Sequence, residues 1–315
     1  MTTSNETESK KPSLVMDTED RWEWWAIVAL VLALCMVVSF GVGLARLGIA
    51  SITALVVVLP LLSMASMPVL FFGLLRTVLR PPAIRRTRSI AFVSLFGAVL
   101  VGNLAISVPL TTEDWKSDQE YRLPFAGAWS VTAGGDDVER NYHAMTAAYR
   151  WGFDFSLLKD GKDRSGDGNT NEDYHCWSQP VLSPVAGRVI TVLNDQPDNE
   201  PGIASTSGSP LGNHIIIEVA ADEFVFLAHL QKGSVSVAQN DTVTIGQPLA
   251  KCGNSGHSLL PQIHLHGQNS PRFPLAEGLP IRFSRIQLNG VPQDQAMPKG
   301  QSEWEKWDGD LVENL

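Results

Sequence analysis

Residues 24–45 form the sequence WWAIVALVLALCMVVSFGVGLA and contain no Asp, Glu, Lys or Arg. The segments 47–75 and 89–112 also lack all four charged residue types. Each segment is long enough for a helix that crosses a hydrocarbon core of about 30 Å, which takes roughly 20 residues. The sequence therefore predicts an N-terminal α-helical membrane anchor over residues 22–112, with three transmembrane helices.

Charge and cysteine content exclude several classes of protein. The 315 residues include 24 Lys plus Arg and 33 Asp plus Glu, a net charge of −9. This charge excludes a protein that binds polyanions by bulk attraction, so we expect no nucleic acid partner. Three cysteines are too few for a fold built on disulfides.

Basic residues around the apolar segments predict an orientation in the lipid bilayer. The first connection offers only Arg46, whereas five arginines lie at or near the second connection: Arg76, Arg80, Arg85, Arg86 and Arg88. The positive-inside rule places the arginine-rich connection in the cytoplasm. The N-terminus, with a disordered tail at residues 1–21, is then cytoplasmic, and the C-terminal region lies outside.

After residue 112 the sequence changes to short β-prone runs broken by Gly, Pro, Asn and Asp. Examples are 214–219 and 223–230, which are flanked by turn signals. This pattern predicts a mainly antiparallel β-sheet domain. We assign the domain to residues 141–288, with a linker at 113–140 before it and a polar tail at 289–315 after it.

Four side chains in this region have the chemistry of a metal or acid-base site. His264 and His266 are separated by one residue, so on a strand both imidazoles face the same side. His229 closes another apolar run, and Asp154 lies among aromatic residues in WGFDF. Taken singly, each residue also fits a structural role. The histidines could be ordinary core or surface residues, and Asp154 could be a hydrogen-bonded structural carboxylate.

The motifs are more specific as an ordered set. They are PxxSPxxGxV from Pro180, GNHIII from Gly212, AHL from Ala228, VxIGQPL from Val243, GNSG from Gly253 and HLH from His264. Over about residues 141–285 this order resembles the lysostaphin/LytM-type zinc metallopeptidases. The resemblance implies a small antiparallel β-sheet domain that binds Zn²⁺ in a groove and cleaves peptide cross-links of bacterial peptidoglycan.

The resemblance also implies roles for individual residues. Asp154 and His266 correspond to zinc ligands, and His229 and His264 to catalytic residues beside a zinc-activated water. Three protein ligands with an open fourth position are typical of a catalytic zinc site. A neutral histidine next to such a water can accept its proton.

One departure from the family pattern concerns the first ligand. The family has His-x-x-x-Asp, whereas this chain has Arg150 four residues before Asp154. Arginine has no acceptor lone pair and cannot replace a histidine on zinc. The substitute is His143, in an Asn-x-His segment eleven residues before Asp154. The predicted metal ligands are therefore His143, Asp154 and His266; if His143 does not bind, the metal is altered or absent.

These observations predict a membrane-anchored peptidase-like protein of the bacterial cell membrane. Its peptidase-like domain would lie on the periplasmic or extracytoplasmic side and hydrolyse peptidoglycan peptides with Zn²⁺. The alternative is a catalytically inactive domain that binds peptidoglycan or regulates another cell-wall hydrolase, with division proteins as further partners. A scaffold role for the helices also stays open, as does a disulfide between Cys176 and Cys252.

Overall fold

The computed structural model describes residues 22–79, 85–104, 108–304 and 306–315. The predicted disordered tail at 1–21 and Arg80 of the second connection lie outside these residues. The chain divides into two compact units. One consists of Met1–Phe40 with Val58–Leu104, and the other of Gly41–Val57 with Ala105–Leu315.

The N-terminal part of the chain is helical. Its elements are α1 (Trp24–Leu44), α2 (Ile49–Ile52), a π-helical turn (Thr53–Val58), α3 (Leu59–Leu79) and α4 (Arg86–Gly102). Among the residues that the structure describes, two helical runs are long and apolar enough to cross a membrane: Trp24–Leu44, with 21 residues, and the continuous run Ile49–Leu79, with 31. In their most apolar windows only 22% and 17% of residues are buried. This exposure distinguishes both runs from the core helices of a soluble protein.

The prediction of a third transmembrane helix over 89–112 is wrong. The helix α4 has 17 residues, a length of about 25 Å at 1.5 Å per residue, which is short of a hydrocarbon core. Val108 and Leu110, which extended the apolar segment, are instead buried beside Ala147 and Trp151 of the β domain. Hydropathy does not distinguish a side chain that faces lipid from one that faces a protein core.

The second unit is built on an antiparallel sheet. The strands are β1 (Trp129–Ala133), β2 (Phe153–Ser156), β3 (Pro180–Leu182), β4 (Gly187–Leu193), β5 (Asn213–Ala220), β6 (Glu223–Leu230), β7 (Thr242–Val243), β8 (Pro248–Lys251), β9 (Ile263–Gln268), β10 (Gly278–Leu279), β11 (Phe283–Leu288), β12 (Val291–Ala296) and β13 (Leu311–Asn314). Eleven of these strands form one sheet in the order β12-β11-β13-β1-β2-β9-β6-β5-β4-β7, with β10 paired to β9, and β3 and β8 form a separate pair. Three short 3₁₀ helices lie at Tyr142–Met145, Ala147–Tyr149 and Asn171–Asp173. The predicted antiparallel β-sheet domain is confirmed.

The sheet extends beyond the predicted boundaries at both ends. The segment 113–140, expected to be a linker, contains β1, whose Val131 is fully buried in the main core. The segment 289–315, expected to be a polar tail, contributes β12 and β13, and Val312 of β13 is fully buried. The strands β12 and β13 are short and have few buried positions, so their signal in the sequence is weak.

A disulfide joins Cys176 to Cys252, and both residues belong to the main hydrophobic core. It connects the segment before β3 to the segment just after β8. The disulfide left open in the sequence is therefore present in the structure.

The connection between the two long helical runs belongs to the same compact unit as the β domain. Ile52, only 1% exposed, packs into a cluster with Val108, Leu110 and Trp151. The guanidinium of Arg46 donates to the Leu110 carbonyl at 2.7 Å. A hydrophobic cluster beside the main core of the β domain therefore includes Ile52 from the helical region.

Replacing Ile52 by Ala in the full chain should lower the free energy of unfolding of the β domain by about 3 kcal/mol, because it leaves a cavity in a packed cluster. Chemical denaturation in detergent micelles, followed by near-ultraviolet circular dichroism, measures the change. The matched control is Ile49→Ala, since Ile49 is 47% exposed; an equal effect of both variants would show that Ile52 has no special role.

Candidate metal centre

Three adjacent strands bring the predicted site residues together. In the register of β2 against β9, Asp154 lies directly opposite His264. In the register of β6 against β9, Ala228 lies opposite His264 and Phe226 opposite His266. The centre of the sheet therefore joins residues that are more than a hundred positions apart in sequence.

Asp154 is fully buried and accepts hydrogen bonds from three side chains. Its Oδ2 accepts from Nε2 of His143 at 3.0 Å and from the Tyr142 hydroxyl. Its Oδ1 accepts from Nδ1 of His264 at 2.7 Å. The carboxylate thus links a 3₁₀ turn before β2 to strand β9.

A chain of hydrogen bonds continues along β9. Nε2 of His264 lies 2.8 Å from Nδ1 of His266, and Nε2 of His266 lies 2.9 Å from the amide nitrogen of Gln268. Because a carboxylate only accepts, Nδ1 of His264 carries the hydrogen, and its Nε2 accepts from His266. The Gln268 amide in turn donates to His266, so this network is satisfied by two neutral imidazoles.

His229 reaches the centre through an unusual backbone conformation. Its φ is 59°, in the left-handed region. Alternation along β6 would turn His229 away from the face of Ala228, yet its ring centroid lies 5.6 Å from that of His264. Its Nδ1 donates to the Ser255 carbonyl at 2.8 Å, so in the neutral ring Nε2 carries the lone pair.

The electrostatics of the cluster favour a carboxylate at Asp154 and neutral imidazoles at His229, His264 and His266. Burial alone would raise the pKa of Asp154, but His143 and His264 outweigh it and bring this pKa well below its ordinary value. Burial lowers the pKa of His264, and that of His266 falls well below its ordinary value for the same reason. Burial, aided by His264, lowers the pKa of His229 to about 4. Neutral imidazoles are the form that binds metals and accepts protons.

Gly152 allows the two ring systems to approach each other. A Cβ on this residue would lie 3.0 Å from the Tyr149 carbonyl oxygen, 3.2 Å from Cε1 of His264 and 3.3 Å from Cδ2 of His143. These distances are tighter than ordinary van der Waals contacts, so a larger residue would push one of the imidazoles away. The glycine in WGFDF is thus explained by the packing of the site.

The structure brings all five predicted site residues to one face of the sheet, but the grouping differs from the predicted one. Potential ligand atoms of His143, Asp154 and His264 lie within 4.8 Å of one another. His266, the predicted third ligand, instead contacts His264 and Gln268, and its ring stacks on Phe226 with centroids 4.6 Å apart.

Sequence analysis missed three further members of the site. Tyr142 bonds Asp154, and the Tyr149 ring lies 5.2 Å from the His143 ring and 5.6 Å from that of His266. Gln268 holds His266. Gln268 could have been found from strand alternation after His264 and His266, whereas no pattern in the sequence marked either tyrosine.

The side chains of this cluster have the chemistry that zinc requires, the metal that the sequence resemblance implies. Two imidazole nitrogens and one carboxylate oxygen, all buried, are ligands that Zn²⁺ takes in catalytic sites. Nε2 of His143 and Nδ1 of His264 lie 3.0 and 2.7 Å from the two oxygens of Asp154, so the three donor groups lie together. The residues present therefore fit a zinc ion.

Part of the β domain matches a known protein family. Residues 172–272 match peptidase family M23. The resemblance to lysostaphin/LytM-type peptidases is thereby confirmed. The M23 match includes His229, His264 and His266, whereas His143 and Asp154 precede its first residue. The atypical part of the centre thus lies in the segment outside the match.

Solved structures of several peptidases show partial similarity to the chain. A mutant catalytic domain of the prophage-encoded M23 protein EnpA from Enterococcus faecalis is 18% identical, with a TM-score of 0.33, covering 50% of this chain and 93% of that one. Lysostaphin from Staphylococcus simulans is 16% identical, with a TM-score of 0.30, covering 51% and 52%. A zinc-containing peptidase from Vibrio cholerae is 20% identical, with a TM-score of 0.31, covering 47% and 36%. The chain thus spans about half of lysostaphin and about a third of the Vibrio peptidase. Comparison with curated proteins found no match.

Proposed function

We propose that this protein is a membrane-anchored zinc metalloendopeptidase that hydrolyses peptide bonds of cell-wall peptidoglycan. The observation that carries the proposal is the buried cluster of His143, Asp154 and His264 in a domain that matches peptidase family M23. A structural role alone does not account for so many imidazoles around one carboxylate, because burying polar groups costs free energy.

His143 and Asp154 would hold the metal together with one histidine of β9. The family resemblance and the distances in the structure point to different histidines. The family resemblance assigns it to His266, whereas the distances between ligand atoms favour His264. Alanine variants distinguish the two assignments, because the variant of the ligand loses zinc and the variant of the other histidine retains zinc but loses activity.

A bound zinc ion would supply Lewis acidity toward a peptide carbonyl and toward water. The residues of the chain would supply the proton transfers. His229 is neutral at pH 7 and has its Nε2 lone pair available, since Nδ1 donates to Ser255. It can therefore accept a proton from the attacking water and, once charged, stabilise a developing oxyanion.

We further propose that the helices anchor the protein in the bacterial cell membrane and that the β domain faces the exterior, where peptidoglycan lies. The two long apolar helical runs support the anchor. The disulfide between Cys176 and Cys252 supports an oxidising compartment for the β domain. The arginine-rich second connection supports a cytoplasmic location for that connection.

The alternative function is a non-catalytic domain that binds peptidoglycan or regulates another hydrolase. Arg150 favours this alternative, because it stands where the family supplies a zinc ligand and its guanidinium donates to the Ala144 carbonyl at 3.1 Å. Under this alternative the chain would bind peptidoglycan without taking up zinc and without releasing peptides.

The test is digestion of purified peptidoglycan by the full chain in detergent micelles, with released amino groups measured. We expect hydrolysis that stops when a chelator removes zinc and returns when zinc is added back. The His229→Ala variant should retain zinc and lose at least about a hundredfold in rate, a typical loss for an acid-base residue. The matched control is His214→Ala, since His214 is also a buried histidine but bonds the Gly212 carbonyl at 2.7 Å; it should leave the rate unchanged. Zinc-free binding without hydrolysis would support the alternative.

A further inference from the structure

Arg150 occupies the position of the missing ligand histidine, but its side chain has a different task. It is buried, at 9% exposure. Its Nε donates to the Ala144 carbonyl at 3.1 Å, and its terminal nitrogen donates to the Val108 carbonyl. One guanidinium therefore joins two backbone segments that are distant in sequence.

The first of these segments is the 3₁₀ turn Tyr142–Met145, which carries His143. The Asn141 side chain closes the start of this turn by accepting from the His143 amide at 3.1 Å. Arg150 binds the turn immediately after His143, at Ala144. The backbone on both sides of His143 is thus held by side-chain hydrogen bonds.

The second segment follows the last helix of the N-terminal region. Val108 and Leu110 are buried there, and Glu113 lies 3.8 Å from Arg150 and 3.2 Å from Arg46. Arg46 belongs to the connection between the two long helical runs. The contacts therefore run from the helical connection through Arg150 to the turn of His143, all within one compact unit.

We propose that Arg150 is a positioning residue that fixes His143 beside Asp154 by holding its turn against segment 108–113. Arg150 then has two effects relative to the family pattern. It removes the ligand histidine at its own position, and it holds His143, which would bind zinc in place of that histidine. This inference rests on the proposed zinc site, but the position of His143 can be measured without metal.

The test is the rate at which diethyl pyrocarbonate modifies His143 in the metal-free full chain in micelles, followed by mass spectrometry. His143 is 6% exposed. In Arg150→Ala the rate should rise about tenfold, the factor expected from losing one charge-assisted hydrogen bond. The rates of the buried His214 and His229, measured in the same sample, should not change.

A second variant and a control distinguish a specific effect on the position of His143 from a general destabilisation of the β domain. Arg150→Lys keeps the charge but cannot donate to two carbonyls in a fork, so its His143 rate should fall between those of the parent and Arg150→Ala. Tyr121→Phe removes a buried hydrogen bond to Glu223, 2.6 Å long, and should leave the His143 rate unchanged. If Arg150→Ala does not fold, the test uses Arg150→Lys alone. A His143 modification rate in Arg150→Lys equal to that of the parent would then contradict the proposal.

Zinc affinity gives the second readout. We expect Arg150→Ala to bind zinc about tenfold more weakly than the parent in a chelator competition, as for other residues that orient a ligand. Unchanged protection of His143 in the variants, or an equal rise at His143, His214 and His229, would overturn the positioning role. A parent chain that takes up no zinc would instead overturn the proposed function, while the modification rates still report on Arg150.

Discussion

Replacing Asp154 by Asn is expected to reduce bound zinc from one ion per chain to a small fraction and to slow peptidoglycan hydrolysis by at least about a hundredfold. The amide is similar in size, so the packing around it is retained, but it has no negative charge and one acceptor oxygen instead of two. The three donors that now bond Asp154, from Tyr142, His143 and His264, then compete for that oxygen. Metal analysis of the purified full chain measures the loss.

A matched control for this variant is available elsewhere in the β domain. Asp198 accepts from the backbone amides of Lys232 and Asn254 at 2.9 and 2.8 Å and lies outside the histidine cluster. Asp198→Asn makes the same chemical change and should leave zinc content unchanged. Zinc retained in Asp154→Asn, or lost equally in both variants, would rule out the proposed role of Asp154.

Removing the disulfide, with Cys176→Ser and Cys252→Ser together, should lower the free energy of unfolding of the β domain by about 4 kcal/mol. The two cysteines are separated by 76 residues, and closing a loop of that length restricts the unfolded chain by about this free energy. Chemical denaturation in the presence and absence of a reductant measures the difference. The parent should lose the same free energy on reduction.

Cys35 provides the control for the disulfide variant, because it is a free, exposed cysteine in α1. Cys35→Ser should not change stability or its response to reductant. The same chemistry tests the proposed orientation in cells, where thiols are trapped before lysis. A β domain outside the membrane would show Cys176 and Cys252 protected as a disulfide, whereas a cytoplasmic domain would show two free thiols.

The helical part of the chain shows where sequence reasoning succeeds and where it fails. Long charge-free segments predicted helices, and the described part of the chain has two helical runs of sufficient length. The prediction of a third transmembrane helix was wrong because Val108 and Leu110 do not face lipid. They are apolar because they are buried in a cluster with residues of the β domain. Apolar composition specifies that a side chain avoids water, but it does not specify which apolar surroundings it meets.

The site shows a similar division between composition and tertiary contact. Residue types and their order indicated His229, His264, His266 and Asp154, and chemistry alone excluded Arg150 as a ligand. The contact of His143 with Asp154 is a property of the fold, since it depends on a turn closed by Asn141 and on the pairing of β2 with β9.

The sequence by itself determined the β domain, its M23-type motifs and the lack of a ligand at position 150, because these follow from local residue chemistry and spacing. Only the tertiary structure decided that Tyr142 and Tyr149 join the centre and that Arg150 connects the turn of His143 to segment 108–113. The physical reason is that hydrogen bonds between distant segments depend on how strands pair and turns pack, which no local pattern encodes.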